Sequence, residues 1–364
     1  MNINFNVLDR QYNKYKNEYD NAVLNVLSSG WYILGKEVEA FEKEFSHCIG
    51  LKYCVGLNSG LDALILAFRA LDIGYGDEVI VPANTYIASV LGVTENGATP
   101  VFVESDVYYN IDASKIEAAI TSKTKAILAV HLYGQPAEIK KIKEIAVNHN
   151  LFLIEDCAQS HGANIDGEMT GSFGHIGCFS FFPTKNLGAF GDAGAIVTDN
   201  EQLYEKIRML RNYGSKIRYY NDIDGVNSRL DEIQATLLRV KLKHLQELNT
   251  ERSNLANKYL NGIINPLIKL PKHKYNNVWH LFVILTKYRD ELMQYLSKNG
   301  IQTLIHYPVP PHLSQCYKRF GYEKGSFPIT ENYAAEVLSL PMYTGMLDDE
   351  INYIIDIINN WKVT

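Results

Sequence analysis

The sequence predicts an α/β protein: a large domain on a mainly parallel sheet, followed by a small C-terminal α+β domain. Two observations carry this. Apolar runs at Glu78–Pro82, Thr99–Glu104, Ala126–Leu132, Leu151–Glu155, Gly177–Phe182 and Ala195–Thr198 alternate, for the most part, with helix-patterned segments at 85–96, 113–121, 136–149 and 201–212. Their hydrophobicity is continuous rather than alternating, as in strands covered by helices on both faces. Past residue 215 this rhythm stops, and a different pattern begins after Pro266. Ligands of such sheets gather at the carboxyl ends of strands, so the strand exits are where chemistry is sought.

In order, residues 12–29 read as a helix with apolar positions at Tyr15, Tyr19, Val23 and Leu27, closed by Ser28-Ser29-Gly30. GWYILG then crosses as a loop carrying Trp31 and Tyr32, and 36–47 resumes helical spacing through Val38, Phe41 and Phe45. A short strand at Tyr53–Leu57 runs into Asn58-Ser59-Gly60, where a helix opens near Leu61. After the sheet runs, SKIRYYNDIDGVNSRLDE is polar and turn-rich, and a long helix with breaks is expected from about Leu230 to Ile264. WHLFVILT (279–286) reads as a strand, RDELMQYLSKNG as a helix ending on glycine, and IQTLIHY (301–307) as a second strand. PVPPHL is rigid punctuation, and helices near 330–339 and 348–361 follow. The expected division is a large domain over 1–250, including the N-terminal segment, and a small domain over 251–364.

Composition narrows the function classes. A length of 364 residues with 46% hydrophobic side chains supplies a large core and a smaller appended one. The net charge of -6 is spread along the chain without a basic cluster, so no nucleic-acid partner is expected. Five cysteines without a CxxC pair fit reduced thiols in a cytosol better than a disulfide framework or zinc site. The polar N-terminus lacks an apolar leader and no uncharged run reaches spanning length, so a cytoplasmic protein without a membrane partner is expected.

The chemistry centres on CFSFFPTKNLGAFGDAG, residues 178–194, where Lys185 stands between an aromatic strand and three glycines. A desolvated lysine loses preference for its charged form and becomes a usable nucleophile; the plainer reading is a surface lysine after a core strand. Asn58-Ser59-Gly60 ends a strand and opens a helix, which makes either a phosphate site of free N–H groups or an ordinary serine-capped turn. Asp156 follows a buried strand and either caps a helix or holds a positive charge over the sheet edge. Tyr86, in PANTYIAS, offers a flat face or packs as core. A nucleophilic amine, a carboxylate and a phosphate cradle at neighbouring exits are the parts that pyridoxal 5'-phosphate requires.

PANTYIAS, EDCAQSHGA, FSFFPTKNLGAFGDAGA, GVNSRLDEIQA and HYPVPPHL, in this order, resemble the pyridoxal-phosphate sugar-nucleotide aminotransferases of the DegT/DnrJ/StrS family, from GWYILGKEVEAFE to the end. The resemblance implies the aspartate-aminotransferase-like fold (fold type I) and a homodimer with shared active sites. It implies Lys185 as the Schiff-base lysine, Asp156 as the partner of the pyridine nitrogen and Gln159 as the neighbour of the phenolate oxygen. It further implies Tyr86 as the stacking ring, Ser180 with the Gly60-Leu61 backbone at the phosphate, and Asn227 reaching it from the other subunit. His161 is expected beside the cofactor as a catalytic residue. Leu61 stands where the family often has threonine, so a hydroxyl contact to phosphate is lost while backbone N–H groups remain. Members that dehydrate carry histidine at the position of Lys185.

The HYPVPPHL segment, with His306, Tyr307 and His312, is similar to that of members that aminate the 3-keto group of dTDP-linked 6-deoxyhexoses. The implied acceptor is a dTDP-3-keto-6-deoxyhexose and the donor L-glutamate, with a 4-keto acceptor as the alternative. Trp31, Tyr32 and Arg229 are candidate sugar or nucleotide contacts, or dimer packing. Two other readings compete. Asp222-Ile223-Asp224 is a DxD that could hold a divalent ion as in a glycosyltransferase, or simply a turn. A non-catalytic regulator on the same fold is the other, against which the Lys185–Asp156 pair speaks.

Overall fold

The computed structural model describes residues 1–363. The chain begins with α1 (Leu8–Lys14), α2 (Lys16–Ser29) and α3 (Lys36–Ile49), then enters the sheet through β1 (Tyr53–Leu57) and α4 (Gly60–Ala70). β2 (Glu78–Pro82), α5 (Ile87–Thr94), β3 (Thr99–Val103), β4 (Thr124–Val130), α6 (Ile139–Asn148) and β5 (Phe152–Asp156) follow. A small hairpin of β6 (Asn164–Ile165) and β7 (Glu168–Met169) leads to β8 (Ile176–Ser180), β9 (Gly194–Thr198) and α7 (Glu201–Leu210). A second hairpin, β10 (Ser215–Ile217) with β11 (Tyr220–Asn221), precedes α8 (Glu232–Lys243) and α9 (Leu245–Gly262). The remainder is β12 (Phe282–Leu285), α10 (Arg289–Lys298), α11 (Pro328–Glu336), β13 (Val337–Leu340) and α12 (Asp348–Asn360).

The seven-stranded sheet runs β1-β9-β8-β5-β4-β2-β3. Only β9 runs against its neighbours; the other adjacent pairs are parallel. Successive residues of each strand face opposite sides, which is why the runs are apolar throughout. Val79, Val81, Leu128 and Ile154 pack with α4, α5 and α7 on one face. Ile80, Ile127 and Leu153 meet α6, while Phe179 and Val197 meet α3 and α8, on the other. The small domain has its own core, from Leu255 on α9 to Trp361, joined by Ile3 from the other end of the chain. No helix among the described residues is long and apolar enough to cross a membrane.

Several sequence expectations are corrected. The helix expected at 113–121 is two short 3-10 turns. The helix expected over 330–339 ends at Glu336, and Val337–Leu340 is instead a strand paired antiparallel with β12. The strand expected at 301–307 makes only isolated bridges, Ile301 to Ile3 and Leu304 to Ser339. The helix expected over 12–29 breaks at Tyr15, and the long one after Leu230 breaks at His244. Asp222 and Asp224 are exposed in the polar turn after β11, and neither belongs to a cluster of metal-ligand geometry.

Candidate active site

A cavity of about 540 Å³ opens at the carboxyl ends of the parallel strands. β5 and β8 are parallel neighbours, with Asp156 opposite Cys178, so Asp156 and the loop after β8 emerge side by side. That loop turns the chain into the antiparallel β9 and carries Lys185, whose N–H donates to the Phe182 carbonyl at 2.8 Å. Lys185 sits half-buried in the cavity wall. Burial draws its pKa down to about 8, against the opposing pull of the Asp156 charge.

Asp156 and Glu155 show how strand alternation divides labour. Glu155 faces away from the cavity: Oε1 accepts the N–H groups of Phe173 and Gly174, and Oε2 accepts that of Gly171. His131 Nδ1 accepts the Ala137 N–H, so its proton is on Nε2, which donates to Glu155 Oε2 at 3.0 Å. His131, Glu155 and Cys157 lie close enough for a metal, but these bonds occupy the histidine and carboxylate as a structural clamp. Asp156 faces the cavity, where Oδ2 accepts from Ser89 Oγ at 2.7 Å and Oδ1 from the Ala158 N–H at 3.1 Å. Burial raises its pKa, and those two donors oppose the rise.

The exit of β1 supplies a concave backbone surface. Ser59 caps α4 by accepting the Asp62 N–H at 3.1 Å, so the first N–H groups of that helix lie at the cavity. A Cβ on Gly60 would lie 2.4 Å from Ser180 Cβ, and one on Gly194 would lie 2.3 Å from the Ser59 carbonyl carbon. Only glycine allows the hairpin to press this close, and the resulting hollow is lined by Ser59, Gly60, Leu61 and Ser180. From β2, Tyr86 projects its ring 52% exposed over the cavity.

Gln159 is held by the exit of β4. Tyr133 takes a left-handed backbone, φ 59°, and donates its N–H to Gln159 Oε1 at 2.7 Å. The amide nitrogen is thereby turned outward and donates to the Tyr307 hydroxyl at 3.1 Å. Tyr307 and Tyr86 lie with ring centroids 5.2 Å apart. His306 lines the same wall, fixed by a 2.8 Å bond between Nδ1 and Ser339 Oγ, and burial brings its pKa to about 4.

The structure also brings in residues the sequence reading missed. Asn186 donates both amide protons, to Asn249 Oδ1 and the Val278 carbonyl, so its oxygen faces His280 Nδ1 at 3.2 Å. His280 therefore carries its proton on Nδ1 and turns an unprotonated Nε2 toward the cavity it lines. Burial and the Lys185 charge keep it neutral. Thr85, Ser89, Arg252, Phe5 and Asn6 complete the wall. The spacing of Thr85 and Ser89, one helical turn apart at a strand exit, was a usable signal; Phe5 and Asn6 gave none.

Other expected residues lie elsewhere. His161 is sealed behind the strand against Phe179 and Phe181, with burial, Lys185 and Lys241 pulling its pKa to about 3. It does not line the cavity, so a direct catalytic role is corrected. His312 is fully buried too, packed on Phe102 and Phe327 and bonded through Nε2 to Glu331 at 3.2 Å; the expected substrate contact is corrected. The exposed Trp31, Tyr32 and Asn227 and the half-buried Arg229 form a ridge outside this chain's own cavity. It is knit by the Ile33–Asp231 bridge and the Glu232 N–H to the Tyr32 carbonyl. Arg229 donates to Asn212 Oδ1 at 3.1 Å and lies over the Tyr213 ring.

A half-buried amine and a buried carboxylate at adjacent strand exits, beside a glycine-walled hollow, define on this fold a pyridoxal-phosphate-dependent enzyme of the aspartate-aminotransferase-like class. Residues 13–359 match the DegT/DnrJ/EryC1/StrS aminotransferase family, and the chain belongs to it. It is 51% identical over 356 residues to the dTDP-3-amino-3,6-dideoxy-alpha-D-galactopyranose transaminase of Aneurinibacillus thermoaerophilus, covering 97% of this chain and 98% of that one. It superimposes with a TM-score of 0.97 and 47% identity on S. venezuelae DesV, solved in complex with a ketimine intermediate, over 100% of both chains. It superimposes with a TM-score of 0.92 and 33% identity on NtdA of Bacillus subtilis with bound cofactor PMP, over 98% of this chain and 84% of that one.

Proposed function

We propose that this enzyme transfers the amino group of L-glutamate to a dTDP-linked 3-keto-6-deoxyhexose, giving a dTDP-3-amino-3,6-dideoxyhexose. The observation that carries this is the facing pair of Lys185 and Asp156 in one cavity of a chain half identical to a 3-amino-sugar transaminase. The 3-amino position in that relative's name favours the 3-keto acceptor over a 4-keto one.

The wall fits the cofactor. The Gly60–Ser180–Gly194 hollow suits a phosphate, Tyr86 a flat ring, Asp156 a protonated ring nitrogen, and the outward amide of Gln159 an anionic ring oxygen. Bound there, pyridoxal phosphate supplies an electron sink for the carbon that loses or gains the proton. Lys185 is the residue that would hold the cofactor, through Nζ, and would move the proton at that carbon; its lowered pKa leaves a useful fraction uncharged near neutral pH. Tyr307, His306 and the acceptor nitrogen of His280 face the space left for the sugar.

The ridge of Trp31, Tyr32, Asn227 and Arg229 is assigned to the cavity of a second copy. Its support is that Leu24, Leu27, Trp31, Tyr32 and Ile33 leave apolar surface open beside it. The large domain, 1–250, then holds the cofactor, and the small domain, 251–364, supplies His306 and Tyr307. A cytoplasmic setting is supported by five free cysteines. Incubation with glutamate and a panel of 3-keto and 4-keto dTDP-sugars, with the amine located by NMR, tests the assignment. A 3-amino product is expected, and an exclusively 4-amino product overturns it.

A further inference from the structure

Asp156 is held by two residues that no role has yet claimed. Ser89 Oγ lies 2.7 Å from Asp156 Oδ2, and Thr85 Oγ1 lies 2.7 Å from Ser89 Oγ. Thr85 is 2% exposed and Ser89 1%, so neither hydroxyl exchanges its partner freely with water. Each hydroxyl has one proton, and an ionised carboxylate only accepts. Ser89 must therefore donate to Asp156, which leaves the Thr85 proton to bridge the two hydroxyls. The direction of the chain is fixed: Thr85 to Ser89 to Asp156. Backbone geometry holds Ser89 in place, in the first turn of α5 with its N–H on the Tyr86 carbonyl at 3.1 Å.

We propose that Thr85 and Ser89 are positioning residues that hold Asp156 ionised and aimed into the cavity, and so keep the ring nitrogen of bound pyridoxal phosphate protonated. The inference rests on the assignment of Asp156 to that nitrogen. Its physical basis is a contest. Burial pushes the Asp156 carboxyl up, and the Ser89 hydroxyl and Ala158 amide pull it back. Lys185 from the loop after β8 and His131 at the exit of β4 also act on it; Tyr307 from the small domain and the thiols of Cys157 and Cys178 feel its charge. Of the two hydrogen-bond donors, only Ser89 is a side chain that substitution can remove. A chain of aligned donors polarises along its length, so Thr85 strengthens the bond it does not make itself.

The test uses holoenzyme reconstituted with cofactor carrying 15N at the ring nitrogen, its shift followed from about pH 6 upward until the wild-type nitrogen titrates. Wild type should read as protonated through about pH 9. Ser89→Ala should lower the nitrogen's titration midpoint by about one pH unit and slow the glutamate half-reaction about tenfold. Thr85→Val, nearly isosteric, should shift it less in the same direction, and Ser89→Thr should restore it. A nitrogen that stays as fully protonated in Ser89→Ala as in wild type overturns the inference; if that variant does not fold, Thr85→Val decides by the same criterion. Asp156→Asn separates the two readings. If it loses the protonated signal while Ser89→Ala keeps it, only the relay fails; if it keeps the signal, the role of Asp156 itself fails.

Discussion

Lys185 and Lys241 are both lysines that the same fold takes out of water. Lys241, on α8, is 2% exposed, donates only to the Gly188 carbonyl at 3.2 Å and has its pKa drawn to about 7 by burial and by Arg252. Lys185, in the loop just before Gly188, is drawn to about 8. By depression alone Lys241 would be the better nucleophile. It does not line the cavity that Lys185 shares with Asp156 and the glycine-walled hollow, however. Desolvation prepares an amine; access and a facing carboxylate make it useful.

Substitution breaks this comparison most sharply. Lys185→Ala should lower transamination by at least about a thousandfold with the circular dichroism spectrum unchanged, whereas Lys241→Met should keep activity within a few-fold. Equal losses in steady-state assays would mean that burial, not access, is decisive. Next in size is reactivity. Reductive trapping of the cofactor-free protein by a small aldehyde should rise with pH and level off above about 8, and peptide mapping should find Lys185. A midpoint near the ordinary lysine value would remove its depressed pKa.

Stability sharpens the other half. The pKa of Lys241 in the folded protein, about 7, lies below the ordinary value of 10.5, so between these limits the unfolded chain holds more protons. Wild type therefore loses stability from this group as pH falls through that window. Lys241→Met removes the loss and should gain on wild type by up to about 4 kcal/mol at pH 7, with the gain vanishing near pH 10.5 in denaturant titrations. The smallest effect belongs to the two histidines of HYPVPPHL. His312→Gln should cost about 1–3 kcal/mol of stability and leave KM for the sugar unchanged, while His306→Gln should raise that KM with little change in melting temperature.

The same contrast of local and distant information decides what was readable beforehand. The strand exits were legible because a sheet buried on both faces leaves continuous apolar runs, and Lys185 and Asp156 follow two of them directly. Val337–Leu340 was not legible as a strand, because its apolar residues continue the pattern of α11 until pairing with β12 overrides it. His312 looked functional because histidine near prolines in a motif resembles a contact. Its burial depends on Phe102 and Glu331, which only the fold brings to it. His161 was misjudged for a related reason: the strand exit that aims Asp156 inward turns this ring behind the sheet. Thr85 and Ser89 could have been found from their spacing, but nothing local tells which carboxylate they serve.

One wall of the cavity joins distant parts of the chain. The Phe5 N–H reaches Gln302 Oε1 at 3.2 Å across a separation of 297 residues, Ile3 bridges Ile301, and the Phe5 ring lies 5.8 Å from His306. On the ribosome, residues 3–5 must therefore wait for residues 301–306 before this wall can close. The central sheet, whose strands all lie before residue 200, has no such delay. A nascent chain would thus own its sheet-borne cofactor hollow well before it owned a finished chamber for the sugar.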